Sequence, residues 1–274
     1  MLRQKKTNIE HRTSNTEHRT KAKTVDMGVG GAPCCVVTGA SRGLGRAIAV
    51  ELARRGWSVC VNFRENRDAA AETVAAVIAA GGDVFRFQAD VRDREAVNAM
   101  FEEVTRRWGR LDLLVNNAGI SRESLLLKMA EAEWDEVLGT NFIGALSCCR
   151  AAAELMHKAG GGQIINICSV SGVQGRAGQS HYAAAKGALI GLVQSLAAEL
   201  GSAGIRVNAV LPGYLPTEMG LASPKAAEHA RSRHHLGILA DIQETAAFIA
   251  NLAEMKWVTG QVLRVDGRAH GNDE

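Results

Sequence analysis

The sequence predicts an α/β protein of the Rossmann type, with a doubly wound, seven-stranded parallel sheet and helices on both faces. From residue 34 onward, short apolar runs rich in β-branched residues alternate with longer amphipathic segments. A glycine-rich turn also joins the first apolar run to the first amphipathic segment. Strands that alternate with helices in this way are typical of parallel sheets with right-handed crossovers.

The predicted elements follow one another in a regular order. Apolar runs bounded by glycine or polar residues predict strands at 34–38, 58–63, 83–90, 111–117, 162–168, 205–212 and 261–265. Amphipathic periodicity predicts helices at 44–55, 66–80, 93–107, 132–158, 182–201 and 241–253. Residues 213–240 break this order, and a connection of that length predicts a lid or substrate loop. A solvated surface excursion is the simpler alternative.

The first 26 residues differ from the rest in composition. NIEHRT at 8–13 returns as NTEHRT at 15–20, and the stretch holds seven Lys or Arg and three Asp or Glu. Because it has no apolar seam for a coiled coil, we predict that 1–26 is a disordered tail. Our hypothesis is that the tail is translated from upstream of a true start at Met27, with a functional basic arm as the alternative. Residues 27–274 are then expected to form a single domain.

Composition and charge exclude several classes of protein. The net charge is +3, of which the tail supplies +4, so the remainder carries −1 and does not indicate nucleic-acid binding. We find neither a run of the ~20 apolar residues that a membrane helix needs nor a secretory signal, and we expect a cytoplasmic protein. The six cysteines lack metal-ligand spacing, so no metal site is predicted, although a catalytic thiol at Cys168 is an alternative.

The stretch TGASRGLG at 38–45 predicts a dinucleotide-binding turn. It leads from an apolar strand into an amphipathic helix through Gly39, Gly43 and Gly45. Glycine permits a tight turn and lets a pyrophosphate approach the N–H groups at the helix N-terminus. The spacing is G-x-x-x-G-x-G rather than G-x-G-x-x-G, but the strand before it and the helix after it are those that the mechanism requires.

The end of the second predicted strand, VNFREN, favours NADPH over NADH. Arg64 there and Arg42 in the glycine turn can together hold a 2′-phosphate by charge-assisted hydrogen bonds. Glu65 lies 20 residues past Gly45, an offset at which an acid can select NAD. Beside two arginines, we expect Glu65 to face solvent or to pair with one of them.

Ser169, Tyr182 and Lys186 indicate proton transfer at a carbonyl group. Tyr182 and Lys186 lie one helical turn apart on the same face. A phenol with a pKa of ~10 is a poor acid or base at neutral pH unless a nearby cation favours the phenolate. Ser169, at the end of an apolar strand, can donate a hydrogen bond to a substrate oxygen. His181 is an alternative acid, but its position on the helix is rotated ~100° from Tyr182.

TGASRGLG at 38–45, NNAG at 116–119 and the three residues just described together resemble the short-chain dehydrogenase/reductase family, over residues 34 to about 267. The resemblance implies a catalytic tetrad completed by Asn141, which would hold a helix irregularity and a water that relays protons through Lys186. It implies that the cofactor is bound by Thr38, Gly39, Ser41, Arg42, Gly43, Leu44, Gly45, Asn62, Arg64, Asp90, Val91, Asn117, Ala118, Gly119, Tyr182, Lys186, Pro212, Gly213 and Thr217.

Within that family, the chain most resembles the 3-oxoacyl-[acyl-carrier-protein] reductases, for example in LLVNNAGISRESLLLKM and in the terminal TGQVLRVDG. This resemblance implies a homotetramer that uses NADPH to reduce a 3-oxoacyl thioester to the 3-hydroxyacyl thioester in fatty acid synthesis. The alternative is a short-chain oxidoreductase that acts on a free small carbonyl, quinone, sugar or other alcohol.

Two departures from the reductase pattern keep that alternative open. Gly160 and Ala203 stand where basic residues are expected to dock an acyl carrier protein, with Lys158, His157 or Arg176 as substitutes. The lid is also shorter and richer in histidine than expected.

Overall fold

The seven predicted strands form one parallel sheet in the computed structural model, which describes residues 31–221 and 223–267. The strands are β1 (Cys34–Val37), β2 (Ser58–Phe63), β3 (Val84–Gln88), β4 (Leu113–Asn116), β5 (Gly162–Ile167), β6 (Ile205–Pro212) and β7 (Val262–Val265). β2 and β6 have the predicted bounds, and the other strands are shorter by one or two residues at an end.

The strand order is β3-β2-β1-β4-β5-β6-β7, so the winding direction reverses between β1 and β4. Val37 pairs with Val115, and Asn116 pairs with Asn166. The carboxyl ends of β1, β4 and β5 therefore meet at one edge of the sheet. In doubly wound folds, ligands bind at this switch point.

Helices cover both faces of the sheet. They are α1 (Gly43–Arg54), α2 (Arg67–Ala79), α3 (Arg94–Trp108), α4 (Glu131–Leu138), α5 (Ala145–Ala159), α6 (Ser171–Gln174), α7 (Ser180–Leu200), α8 (Glu218–Leu221), α9 (Pro224–Ser232) and α10 (Ile242–Glu254). Residues of α1, α2 and α10 form one apolar core with the sheet, and residues of α3, α5 and α7 form the other. The predicted two-layer covering is confirmed.

The predicted helix 132–158 is wrong as a continuous α-helix, because a π-helical segment, Gly139–Gly144, separates α4 from α5. A π-helix has more residues per turn than an α-helix, and this difference directs the side chain of Asn141 into the protein, where it is fully buried. Gly144 has no room for a side chain, since an added Cβ would lie 2.5 Å from Cγ2 of Val91. The π-helical segment is the helix irregularity that the family resemblance implied, and its Gly144 packs closely on Val91.

The lid, residues 213–240, contains α8 and α9, which the periodicity did not predict. Ser223 caps α9 by accepting a hydrogen bond from Ala226 N, and Pro224 occupies the first turn. At its base the lid is joined to the end of β7, because Gly213 N donates to Val265 O at 2.8 Å. The described residues of the predicted lid, 213–221 and 223–240, thus include two helices and a bond to the sheet edge.

Residues 1–26 and Met27 lie outside the described residues, so the tail and start-site hypotheses stay predictions. Within the described ranges, one helical stretch, Ser180–Ala203, is long and apolar enough by length and composition to span a membrane. That stretch is α7 with the turn that follows it. Its buried residues Lys186, Leu189 and Val193 show that one side of it packs inside the fold.

Candidate active site

The turn between β1 and α1 is fastened to the loop that follows β4. The Thr38 hydroxyl accepts hydrogen bonds from the backbone N–H groups of Asn117 and Ala118, both at 3.0 Å. In return, Asn117 Nδ2 donates to Thr38 O at 2.9 Å and to Gly39 O at 3.1 Å. The structure therefore brings Thr38, Gly39, Asn117 and Ala118 together at this edge of the sheet.

Two glycines in the turn are required by its geometry. Gly39 has a φ of +62°, and a Cβ there would lie 2.8 Å from Cα of Ala118. A Cβ on Gly45 would lie 2.5 Å from both Gly39 O and Asn117 Nδ2. Any side chain at either position would push the turn away from the sheet, which explains why the pattern has glycine at these points.

Asn62 lies beneath this turn rather than on its surface. Its side chain is 1 % exposed, accepts a hydrogen bond from Gly39 N at 3.2 Å and donates one to Ala89 O at 3.0 Å. The amide thus connects the turn with the residue that follows β3. This arrangement makes Asn62 a residue that positions the cofactor turn.

The N-terminus of α1 is open to an anion. Side chains cap several other helices in the described chain: Asn66 caps α2, Asp93 caps α3 and Asp241 caps α10. At α1 the N-cap residue is Arg42, whose side chain makes no capping bond, and the first turn holds no acidic residue. Unpaired N–H groups and the helix dipole at such an end suit a pyrophosphate.

Ser41 and Leu44 belong to the frame of the turn. The Ser41 carbonyl accepts hydrogen bonds from Arg46 Nη2 at 2.8 Å and from the Thr73 hydroxyl at 3.1 Å. Leu44 is buried in the core beneath α1. Together with the close packing at Gly39 and Gly45, these contacts give the turn a shape that suits a dinucleotide.

Both arginines predicted to hold a 2′-phosphate have acidic partners. Arg64 Nε lies 2.8 Å from Glu65, which confirms the expected pairing of Glu65 with an arginine. Arg42 Nη1 lies 2.5 Å from Oε2 of Glu218, a lid residue that the sequence analysis did not identify. No local pattern could have revealed this pair, because 176 positions separate its members.

Asp90 and Val91 follow β3, where the family resemblance places the adenine. Asp90 forms a bidentate ion pair with Arg92, with Oδ2 2.6 Å from Nη2. Partial burial would raise the pKa of Asp90, but the hydrogen bonds from Arg92 outweigh it and hold the pKa below its usual value. Val91 is buried against Gly144.

The four predicted catalytic residues converge at the carboxyl ends of β4 and β5. Lys186 Nζ donates to Ile167 O, the last residue of β5, at 2.7 Å, and it lies 5.8 Å from the centre of the Tyr182 ring. The position of a Cβ on Gly119 would be 2.8 Å from Asn141 Oδ1 and 3.6 Å from Lys186 Nζ. Gly119 therefore provides the space in which the amide and the ammonium approach each other.

Burial, rather than the neighbouring cation, dominates the pKa of the tyrosine. It raises the pKa of Tyr182 to about 12, while a hydrogen bond from Ser169 lowers it. Burial also lowers the pKa of Lys186. Lys186 Nζ donates its hydrogen bond to the Ile167 carbonyl, and stabilisation of the phenolate by Lys186 stays a prediction. The phenol is therefore neutral at neutral pH.

The two alternative catalytic groups are placed differently. His181 is fully buried, and its ring stacks on Trp134 with centroids 6.2 Å apart, away from the tyrosine. Burial lowers the pKa of His181, against an opposing effect of Glu133. Cys168 is 3 % exposed, and burial raises the pKa of its thiol to about 11 despite Lys186. A thiol in that state is a poor nucleophile.

The segment after β6 borders the same site from the other side. A Cβ on Gly213 would lie 2.7 Å from Ala240 Cβ, so the lid closes tightly on its own base. Thr217 Cγ2 lies 3.3 Å from the position that a Cβ on Gly43 would take. Pro212, Gly213 and Thr217 thus lead from the sheet edge to the glycine turn.

A groove of about 910 Å³ lies elsewhere, between α3 and α5. Its lining includes Phe101, Ile143, Leu146 and Leu155 together with charged residues of both helices. It contains none of the four catalytic candidates.

The sequence profile described as short chain dehydrogenase matches residues 33–228. The chain is 44 % identical over 236 residues to the 3-oxoacyl-[acyl-carrier-protein] reductase FabG of Staphylococcus aureus, covering 85 % of this chain and 96 % of the relative. It is 40 % identical over 239 residues to the 3-oxoacyl-[acyl-carrier-protein] reductase of a Synechocystis species, covering 86 % and 96 %.

Similarity to solved structures agrees with this. A crystal structure from Sinorhizobium meliloti, described as a short-chain alcohol dehydrogenase, matches with a TM-score of 0.82 and 33 % sequence identity. The match covers 86 % of this chain and 95 % of that one. The doubly wound sheet and its sequence pattern thus occur together in known proteins.

Proposed function

Because the chain belongs to the short-chain dehydrogenase family, we propose that it reduces a 3-oxoacyl thioester on acyl carrier protein to the 3-hydroxyacyl thioester with NADPH, in fatty acid synthesis. The convergence of Asn141, Ser169, Tyr182 and Lys186 beside an open helix N-terminus carries this proposal. Relatives at 39 to 44 % identity that are named for this reaction support the choice of substrate.

NADPH supplies a hydride when bound. Different residues of this chain would bind the different parts of the cofactor. The N-terminus of α1 would bind the pyrophosphate, and Arg42 and Arg64 would bind the 2′-phosphate. The remaining contacts would come from Asp90 and Val91 at the adenine, and from Asn117, Ala118, Gly119, Pro212, Gly213 and Thr217 toward the nicotinamide.

The tyrosine is the proton donor of this scheme. Its raised pKa keeps Tyr182 neutral, and an alkoxide formed from a ketone is a much stronger base than a phenolate. Proton transfer from the phenol to the substrate oxygen is therefore downhill. Ser169 stabilises the developing charge on the same oxygen by donating a hydrogen bond. Lys186 stabilises the phenolate left behind, and Asn141 holds the water through which the proton is replaced.

A homotetramer is part of the same proposal. Ile143 of the π-helical segment and Leu146 of α5 are 46 % and 36 % exposed in the single chain, and both line the groove between α3 and α5. Apolar surface of this extent is typical of contacts between subunits. Sedimentation velocity is expected to give a tetramer that Leu146→Asp dissociates, and a monomeric native chain would contradict the assignment.

The second candidate, reduction of a free carbonyl compound, is favoured by the residue at position 160. Gly160 ends α5 with a φ of +82°, where a basic residue would be strained. Arg176, a candidate substitute for carrier docking, is already paired with an acid, since it lies 3.4 Å from Glu123.

For the first candidate, the positive charge that docks the carrier protein comes from Lys158 and His157 in our proposal, because both are exposed at the end of α5. The localisation that we expect for such an enzyme is the cytoplasm, as a soluble protein.

The test is NADPH oxidation with acetoacetyl thioester on acyl carrier protein, the same thioester on CoA, and free small ketones as parallel substrates. We expect turnover of the carrier-bound thioester, loss of it in Tyr182→Phe, and much weaker turnover with NADH. A double substitution of Lys158 and His157 by Gln should raise KM for the carrier substrate and leave KM for the CoA substrate unchanged. Turnover of free ketones alone would establish the second candidate.

A further inference from the structure

The lid begins on top of the dinucleotide-binding turn. Thr217 approaches Gly43 to 3.3 Å, measured to the position of an added Cβ. The next residue, Glu218, begins α8, and its Oε2 lies 2.5 Å from Nη1 of Arg42. Two successive residues of the lid thus contact two successive residues of the turn.

The ion pair between Glu218 and Arg42 connects two segments, whereas the other bonds in this part of the lid lie within the lid itself. The Tyr214 hydroxyl donates to Gly220 O at 2.6 Å, and the Thr217 hydroxyl accepts from Gly220 N at 3.2 Å. Thr217 O also accepts from Leu221 N at 2.8 Å. These bonds fold the lid on itself, whereas the pair between Glu218 and Arg42 joins the lid to the turn.

Arg42 is therefore shared between two anions. The proposed function assigns its guanidinium to the 2′-phosphate, and in the structure the guanidinium pairs with the carboxylate of Glu218. A carboxylate in contact with that guanidinium would lie next to the phosphate, and neighbouring like charges repel. Both partners are largely exposed, at 60 % and 72 %, so their pairing is weak enough for a dianionic phosphate to displace it.

We propose, resting on the NADPH dependence proposed above, that Glu218 is a cofactor-selectivity residue that competes with the 2′-phosphate for Arg42. Binding of NADPH breaks the ion pair and releases α8 from the turn. NADH lacks the phosphate and leaves the pair intact. The apparent Kd of NADPH therefore equals the intrinsic Kd divided by the fraction of molecules in which the pair is broken, whereas the Kd of NADH does not depend on the pair.

Glu218→Gln tests the competition, and Glu228→Gln is its matched control. Glu228 is also an exposed lid carboxylate in an ion pair, at 2.5 Å from Arg231 within α9, so its substitution removes the same charge without touching the turn. By titration of protein fluorescence at low salt, Glu218→Gln is expected to lower the Kd of NADPH roughly two- to fivefold. The Kd of NADH should stay unchanged, and Glu228→Gln should change neither.

The Arg42→Gln background separates this inference from its premise. There, adding Glu218→Gln is expected to leave the Kd of NADPH as it is in the Arg42→Gln single variant. If native protein binds NADPH no tighter than NADH, the proposed cofactor preference fails and the inference fails with it. If native protein prefers NADPH but Glu218→Gln has no effect, or tightens NADH equally, only the competition is overturned.

Release of the lid has its own readout, which does not require turnover. Adenosine 2′,5′-bisphosphate carries the 2′-phosphate without a nicotinamide, and adenosine 5′-monophosphate lacks the 2′-phosphate. Hydrogen exchange of the amides of Gly220 and Leu221 should become faster with the bisphosphate, unchanged with the monophosphate, and insensitive to both in Glu218→Gln. Exchange that is unchanged or slower with the bisphosphate in native protein would overturn the proposed release.

Discussion

Asn141 and Ile120 exchange two hydrogen bonds: Asn141 Nδ2 donates to Ile120 O at 2.8 Å, and Asn141 Oδ1 accepts from Ile120 N at 2.9 Å. A single buried amide thereby joins the π-helical segment to the loop after β4. The catalytic role proposed for Asn141 and the stability of this junction depend on the same two bonds.

Asn141→Ala is expected to reduce both stability and turnover. It leaves the N–H and the C=O of Ile120 unpaired, which costs about 2 to 4 kcal/mol of the unfolding free energy. Asn208→Ala is the matched control, because that buried amide bonds to Val258 O and Gln261 N away from the tetrad. Denaturant unfolding should show similar losses, whereas kcat should fall only for Asn141→Ala. An equal effect on kcat would reduce Asn141 to a structural residue.

Tyr182→Phe is expected to lower kcat by roughly 10² to 10⁴-fold, which is the usual contribution of a positioned general acid. The ring beneath Lys186 Nζ is kept, so the unfolding free energy should change little. Steady-state kinetics and denaturant unfolding measure the two effects separately. If the variant keeps a tenth or more of native kcat, the proton comes from another group.

The raised pKa of Tyr182 predicts that its phenol stays protonated in the cofactor-free protein up to about pH 10. The chain has two tyrosines, so the phenolate absorbance of native protein minus that of Tyr182→Phe isolates this one group. We expect no difference signal between pH 6 and about pH 10. A phenolate signal near neutral pH that the variant lacks would show that Lys186 outweighs burial.

His181 predicts a pH dependence of stability. Because burial lowers its pKa in the folded protein, the unfolded chain takes up a proton below about pH 6.5 that the folded chain does not. The unfolding free energy should therefore fall as pH drops from about 6.5 toward the folded pKa. His181→Phe keeps a ring against Trp134 and should flatten this dependence, whereas exposed His229→Gln should not. Equal slopes in all three proteins would contradict the assignment.

The sequence predicted the sheet well because the inner strands, β2, β1, β4, β5 and β6, are almost fully buried and therefore read as continuous apolar runs. β2 and β6 have the predicted bounds, since each is an apolar run ended by polar or glycine residues. No residue pattern marks the bounds of the π-helical segment, because its amphipathic pattern continues that of α4 and α5. Its role becomes visible only in the folded chain, where Asn141 bonds to Ile120. In the lid, Ser223 and Pro224 are a helix start signal that could have predicted α9.

For the site, residues that act through local spacing were predictable and those that act through distant contacts were not. Tyr182 and Lys186 are four apart on one helix, so their proximity follows from helix geometry. The state of the phenol does not, because its pKa depends on how deeply the folded chain buries it. Nothing in the sequence distinguishes Glu218 from the other acidic residues, and only the folded lid brings its carboxylate to Arg42.

The amide of Asn62 joins Gly39 of the glycine turn to Ala89 beyond β3, so the shape of the turn is held by hydrogen bonds of the protein itself. A flexible glycine loop would have to be ordered at the moment of binding, at the expense of chain entropy. Here that ordering takes place once, when the protein folds. Less of the binding free energy of a dinucleotide then goes into ordering the turn, so the hydrogen bonds of a buried amide under the turn favour tighter binding.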